Sequence, residues 1–226
     1  MPIKTLQAWN TNSTIFRGQF DSWKECLEAA ISQGVSLDYL HLEDADIGAA
    51  NLDGAKMSYA RMRRCRLAGA NLSETTLIKS EWTDCDMRDV SMSDVSAVGA
   101  RFLGTRMNGV DVAYADLRAT LVSCTEFLKI DVSHSTHLSG SAFVAQGHVC
   151  PMTRGPIFVR GLGLDTVLLD EHVVLGSGII LRRDQFGNRE GLIKVFAQHG
   201  LKPHADQLCR LWSALRGEPD TQQYAA

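Results

Sequence analysis

The 226-residue sequence has no apolar run long enough to span a bilayer, which sets a transmembrane helix aside. Its first ten residues, MPIKTLQAWN, lack the apolar core of a signal peptide, so a cytoplasmic location is expected. It has no excess of positive charge: 23 Lys and Arg stand against 26 Asp and Glu, which argues against a generally basic nucleic-acid binder. The six cysteines, at 26, 65, 85, 124, 150 and 209, include no CxxC pair and suit reduced thiols better than a disulfide frame. GxSxG, HExxH and the P-loop are missing, and GLGLD at 161–165 lacks the further glycine spacing of a dinucleotide site. An enzyme is therefore not expected, and neither is a cofactor. At 45% hydrophobic and 22% charged, the chain is nevertheless an ordinary folding sequence.

What is present is a period of five. From Leu37 an apolar residue recurs through Leu42, Ile47, Leu52, Met57, Met62, Leu67, Leu72, Leu77, Trp82, Met87, Met92, Ala97, Phe102, Met107, Val112, Leu117, Val122, Phe127 and Val132. Two residues before most of these centres stands a small one, such as Ala45, Ala50, Cys65, Ala70, Thr75, Cys85 or Thr105. Five fits neither the helical period of 3.6 nor the strand period of 2. It fits a chain that turns a corner every five residues, with four corners closing a square coil of twenty. The central and small residues point in; the other three point out. The frame is lost at His137, so the coil is expected to end near 134. Around Val90 to Val98 the small position is Val, which predicts a wider coil there.

These units, with A-D-I-G-A, A-N-L-D-G, A-N-L-S-E and A-D-L-R-A the clearest, resemble the pentapeptide-repeat proteins. The resemblance implies a mainly β fold, a right-handed quadrilateral β-helix. The flanks resemble small members from bacteriophages and prophages, which implies a host bacterial cytoplasm. The expected organisation is a strand and capping helix over 1–34, the β-helix over 35–134, a linker over 135–154 and a small α/β region over 155–226. The helix is expected at 21–33, with Asp21 as N-cap and Gly34 as stop. TIFRGQF predicts a short hairpin ahead of it.

Residues twenty apart stack, so charge can be assigned to faces. Three faces mix signs, and one carries a column Asp46–Arg66–Asp86–Arg106–Glu126 that predicts a ladder of ion pairs. The fourth face carries Asp53, Glu74, Asp94, Asp111 and Asp131 with no Lys or Arg. Fifteen acids against eleven bases over 35–134 give −4, so this face holds all the net negative charge. It reads either as a solvated surface or as a rod of regular negative charge that occupies a DNA-binding groove. Relatives that bind bacterial DNA gyrase imply the second reading. The partner so implied is a bacterial DNA-binding protein or a phage-defence complex such as CRISPR, bound without direct contact to nucleic acid. The rival reading is a phage-encoded structural or scaffold module that recruits partners through its C-terminal region.

In that region two amphipathic helices offer Leu192, Val195, Phe196, Leu208, Leu211, Trp212 and Leu215. This surface is expected to cap the open tube, to pair two chains as a homodimer, or both. His134, His137, His148 and Cys150 are the one set worth inspecting for zinc, at a spacing that matches no standard site.

Overall fold

The computed structural model describes residues 1–124, 126–127, 130–132, 134, 136–145, 147–176, 179–185 and 189–215. The chain divides into two compact units, Met1–Val144 and Ala145–Ala226.

The first unit is a β-solenoid of about five turns. Strands β3 (Leu40–Glu43), β4 (Arg61–Arg63), β5 (Glu81–Thr83), β6 (Arg101–Leu103) and β7 (Leu121–Ser123) stack in parallel along one side. The other three sides stack through single bridge pairs: Asp46–Arg66–Asp86–Arg106, Asn51–Asn71–Ser91–Asp111 and Lys56–Thr76–Ser96–Asp116. Every one of these pairs is twenty residues apart, as the period of five demands. The centres are buried: Leu72, Leu77 and Met87 expose nothing. Each contributes about 1.5–3 kcal/mol by leaving water.

The corners are built from left-handed backbone. From residue 39 to 119 every fifth residue has positive φ, and only five of those seventeen are glycine: Gly54, Gly69, Gly99, Gly104 and Gly109. Ala50 N donates to Ile47 O at 3.2 Å and Ala55 N to Leu52 O at 3.1 Å, the bond of a type II turn. A side chain held left-handed costs roughly 1–2 kcal/mol, which the coil-to-coil bonds and the buried centres must outweigh.

The small interior position has a second use. Cys65 Sγ donates to Leu42 O and Cys85 Sγ to Met62 O, both at 3.5 Å, and Thr75 Oγ1 donates to Leu52 O at 3.0 Å. The polar atom thus bonds the preceding coil inside the tube, which satisfies a buried polar group. Trp82 fits inside because its indole donates to Ser80 Oγ at 2.9 Å and its ring stacks on Phe102 at 6.3 Å. Around Val90 and Val95 both valines are buried, and the neighbouring centre, Ala97, is small. Large and small residues have exchanged places, so the extra volume is absorbed within the coil.

The N-terminal cap extends the strand side. β1 (Ile3–Ala8) and β2 (Thr14–Gln19) form the hairpin, and β1 pairs antiparallel with β3 at Ala8–Leu40. Helix α1 (Trp23–Ser32) buries Cys26, Leu27 and Ala30. Its N-cap is Ser22, not Asp21: Ser22 Oγ accepts from Glu25 N at 3.1 Å, and Glu25 Oε2 accepts from Asp21 N at 3.0 Å. The reciprocal bonds approximate a capping box, which a serine one residue later satisfies better.

The solenoid does not stop at 134. Tyr114 N still bonds His134 O twenty residues on, but Asp116 pairs with His137, twenty-one on. One extra residue enters between them. The frame then resumes, with Thr136 Oγ1 donating to Val112 O at 2.9 Å, Leu138 buried, Gly140 at positive φ and Val122 pairing with Phe143. The expected linker over 135–154 holds strands instead, β8 (Ser141–Ala145) and β9 (His148–Met152). Val132, outside the resumed frame, is only half-buried. Among the small positions, Thr125 lies outside the described residues.

In the second unit β10 (Ile157–Val159), β11 (Thr166–Leu168), β12 (His172–Leu175) and β13 (Ile179–Arg182) form an antiparallel sheet in chain order. Helices α2 (Arg189–Gln198) and α3 (Ala205–Leu215) pack on it.

Candidate functional site: a face of exposed carboxylates

The arginines of the second coil lie over acids of the first. Arg64 reaches Asp44 through Nε and Nη2 at 2.8 Å each and Glu43 at 2.6 Å. Arg63 lies 3.7 Å from Glu43, and Arg66 3.7 Å from Asp46. Arg61 stacks on the Trp9 ring at 3.5 Å. Further along, Asp86 takes both guanidinium nitrogens of Arg88, at 2.8 and 2.7 Å, and Asp116 those of Arg118, at 2.8 and 2.6 Å. The Arg64, Arg88 and Arg118 bonds hold the Asp44, Asp86 and Asp116 carboxyls below their usual range.

The expected ladder is therefore only partly one of side chains. The backbone column Asp46–Arg66–Asp86–Arg106 is present, and Arg66 pairs with Asp46. Asp86 closes instead on Arg88, two residues along its own coil. A planar guanidinium at that spacing meets the carboxylate in a fork, which a single stacked contact does not offer. Glu126, at the end of the column, accepts from Cys124 Sγ at 2.9 Å.

The fourth face is different. Asp53, Glu74, Asp94, Asp111 and Asp131 are all exposed. Among the described residues, Asp53, Glu74 and Asp94 have no ion-pair partner. Asp111 accepts from the Ala113 amide at 3.0 Å, and Asp131 stands 4.0 Å from His134. Beneath them runs a neutral ladder: Asn71 Nδ2 donates to Asn51 Oδ1 at 3.2 Å, and Ser73 Oγ lies 2.8 Å from Ser91 Oγ and 3.0 Å from Ser93 Oγ. The carboxylates do not form one row. Glu74 and Asp94 share a corner column that continues to Tyr114, Asp111 sits on the opposite edge, and Asp53 lies between. The result is one carboxylate per coil, or one charge per ~4.8 Å of rod. Duplex DNA carries one per ~1.7 Å, so the face has about a third of that density. Tyr114, 56% exposed, is a large aromatic on this face, at the corner position that Glu74 and Asp94 hold in the coils before it.

The other expected sites fare differently. Leu192, Phe196, Leu208, Trp212 and Leu215 are buried in the second unit's own core with Val159, Leu168, Val173 and Leu175, and Leu211 packs against them half-buried. Trp212 donates to Leu169 O at 2.7 Å. These side chains are spent on their own sheet and are not free to cap a tube or join two chains. No three His, Cys, Asp or Glu side chains converge to hold a metal among the described residues. His134 and His137 are exposed, His148 is exposed on β9, and Cys150 is buried with its thiol pushed up to about 11. Cys65 and Cys85 are buried in the tube as free thiols.

Residues 33–67, 45–81, 65–102 and 85–121 match the family model for pentapeptide repeats, in eight copies. No curated protein matches the sequence. Among solved structures the chain is similar to the pentapeptide-repeat protein Rfr23 from the cyanobacterium Cyanothece 51142. The two are 16% identical, with 50% of this chain and 86% of that one covered and a TM-score of 0.39. It is similar too to HetL, a pentapeptide-repeat protein of heterocyst differentiation regulation from Nostoc sp. strain PCC 7120, at 18% identity, 52% and 58% coverage and a TM-score of 0.31. QnrB1, a plasmid-mediated fluoroquinolone resistance protein, matches at 16% identity, 48% and 62% coverage and a TM-score of 0.20. The chain spans about three-fifths of these last two. The solenoid belongs to the pentapeptide-repeat family.

Proposed function

We propose that this pentapeptide-repeat protein is a non-enzymatic binding protein that inhibits or protects a bacterial DNA-binding protein by acting as a DNA mimic. Its fourth face lies in the partner's basic groove. One observation carries the reading: Asp53, Glu74, Asp94 and Asp111 of that face have no ion-pair partner among the described residues, while the carboxylates of the first coil's other faces are largely matched by the coil above. An acid left unpaired on a rigid rod keeps its field for a partner. The modest charge density favours a groove that grips one strand of a duplex over one that encircles both. DNA gyrase and a nucleic-acid-guided defence complex such as CRISPR, met in a bacterial cytoplasm during phage infection, are partners of this chemistry.

Affinity capture from bacterial lysate, with and without competing duplex DNA, tests it. A DNA-binding protein displaced by free duplex supports the reading; capture indifferent to DNA contradicts it.

The second unit, with its own core and an open cleft, favours one further reading, a scaffold that recruits partners through the C-terminal region. Removing residues 145–226 separates the two. The acidic-face reading expects capture to persist, and the scaffold reading expects it to vanish.

A further inference from the structure

The second unit holds a buried imidazole that the acidic face does not use. His172 opens β12 and is 7% exposed, and its Nδ1 makes no hydrogen bond to the described residues. It lies at a cleft of about 440 Å³ lined by His148, Val149, Pro151, Glu171, Arg182 and Asp184, among others. Arg182 is its direct cross-strand partner on β13, and Arg182 Nη2 is bonded to Asp184. Beside β9, Thr153 N and Oγ1 bind Asp170 Oδ2 at 2.6 and 2.8 Å, clamping that wall to the turn that precedes His172. The groups that act on His172 are thus Glu171 beside it, Arg182 and Asp184 from the β13 side, and His148 from β9.

A neutral imidazole with an unsatisfied nitrogen tolerates this arrangement. An imidazolium does not: it needs an acceptor, and it faces a guanidinium across the strand pair. Asp184, held by Arg182, lines the same cleft. We infer that His172 is a pH-sensitive switch of the second unit, whose protonation draws Asp184 from Arg182 and loosens the β12–β13 edge of the cleft. Burial, and then Arg182, hold the imidazole below its ordinary value. The neutral form is therefore the one that folding favours. The contribution is present above about pH 6.5 and is lost as pH falls through the lower folded value.

The test is carried out on the full chain. Imidazole resonances are titrated by NMR, and amide exchange of 172–175 and 179–182, corrected for intrinsic rate, is compared at pH 7.5 and 5. The expected result is His172 titrating below the exposed histidines and at least tenfold faster corrected exchange at pH 5. His172→Gln should abolish that acid response, and His148→Gln should keep it. An ordinary His172 titration, or an undiminished acid response in His172→Gln, overturns the inference. Should His172→Gln fail to fold, the wild-type titration decides alone.

Discussion

Trp9 Nε1 donates to the carbonyl of Tyr59 at 2.7 Å, across fifty residues of sequence. The same indole stacks under Arg61, and Tyr39 and Tyr59 stack at 4.9 Å and 4° beside it. One side chain of the N-terminal hairpin thus reaches past Tyr39 of the first coil, against which it packs at 6.0 Å, to grip the second. A solenoid must close its open end, where unpaired backbone and apolar interior meet water. Trp9→Ala should destabilise the first unit by about 2–3 kcal/mol, below the usual range for a fully buried aromatic because Trp9 is half-exposed. Urea unfolding followed by far-UV dichroism measures this. A loss under about 0.5 kcal/mol would mean the hairpin is not a clamp.

Leu72 is wholly buried in the tube. Leu72→Ala should cost about 2–5 kcal/mol, and Leu72→Asp should abolish cooperative folding of the solenoid. An unchanged melting curve for the aspartate would refute the interior assignment.

Ala49 holds φ 51° at a corner. Glycine there removes the left-handed strain but gains freedom in the unfolded chain, and the two effects differ by roughly 0.5–1 kcal/mol in glycine's favour. Ala49→Gly should therefore raise the melting temperature slightly. A clear fall would show that the corner carries little strain.

Asp116 is forked by Arg118, and the bond lowers its pKa. A lowered carboxylate pKa gives stability that is present above its unfolded value and lost as pH falls through the folded one. Arg118→Ala should raise the Asp116 titration midpoint and move acid unfolding to higher pH. At neutral pH the pair is exposed, so only a few tenths of a kcal/mol should be lost. Carboxyl-carbon NMR of Asp116 checks it, and identical midpoints in both proteins would deny the fork any influence.

The interior of the solenoid was legible because one constraint, a corner every five residues, acts on every unit alike. Its end was not, because a single inserted residue between His134 and His137 moves every later centre by one and looks like the loss of the pattern. Leu138 and Phe143 are centres all the same. Charge columns were legible too, since stacking fixes which residues are neighbours. Which neighbour an arginine chooses was not: Arg88 turns to Asp86 through side-chain geometry that spacing does not encode. The apolar faces of α2 and α3 could be read, but a face does not name what covers it, and the cover is the sheet β10–β13. The acidic face was found by counting signs. That Asp53, Glu74, Asp94 and Asp111 meet no cation among the described residues needed coordinates.

The most direct test of that face is charge reversal at Asp94 and Asp111, both exposed and outside every ion pair described. Binding of Asp94→Lys/Asp111→Lys to purified DNA gyrase, or to the DNA-binding protein captured from lysate, would be titrated at two salt concentrations beside the wild type, with duplex DNA as competitor. The account predicts salt-sensitive, DNA-displaced binding that the reversal abolishes while the melting temperature holds. Binding that survives the reversal undiminished would contradict it and leave the face a solvated surface.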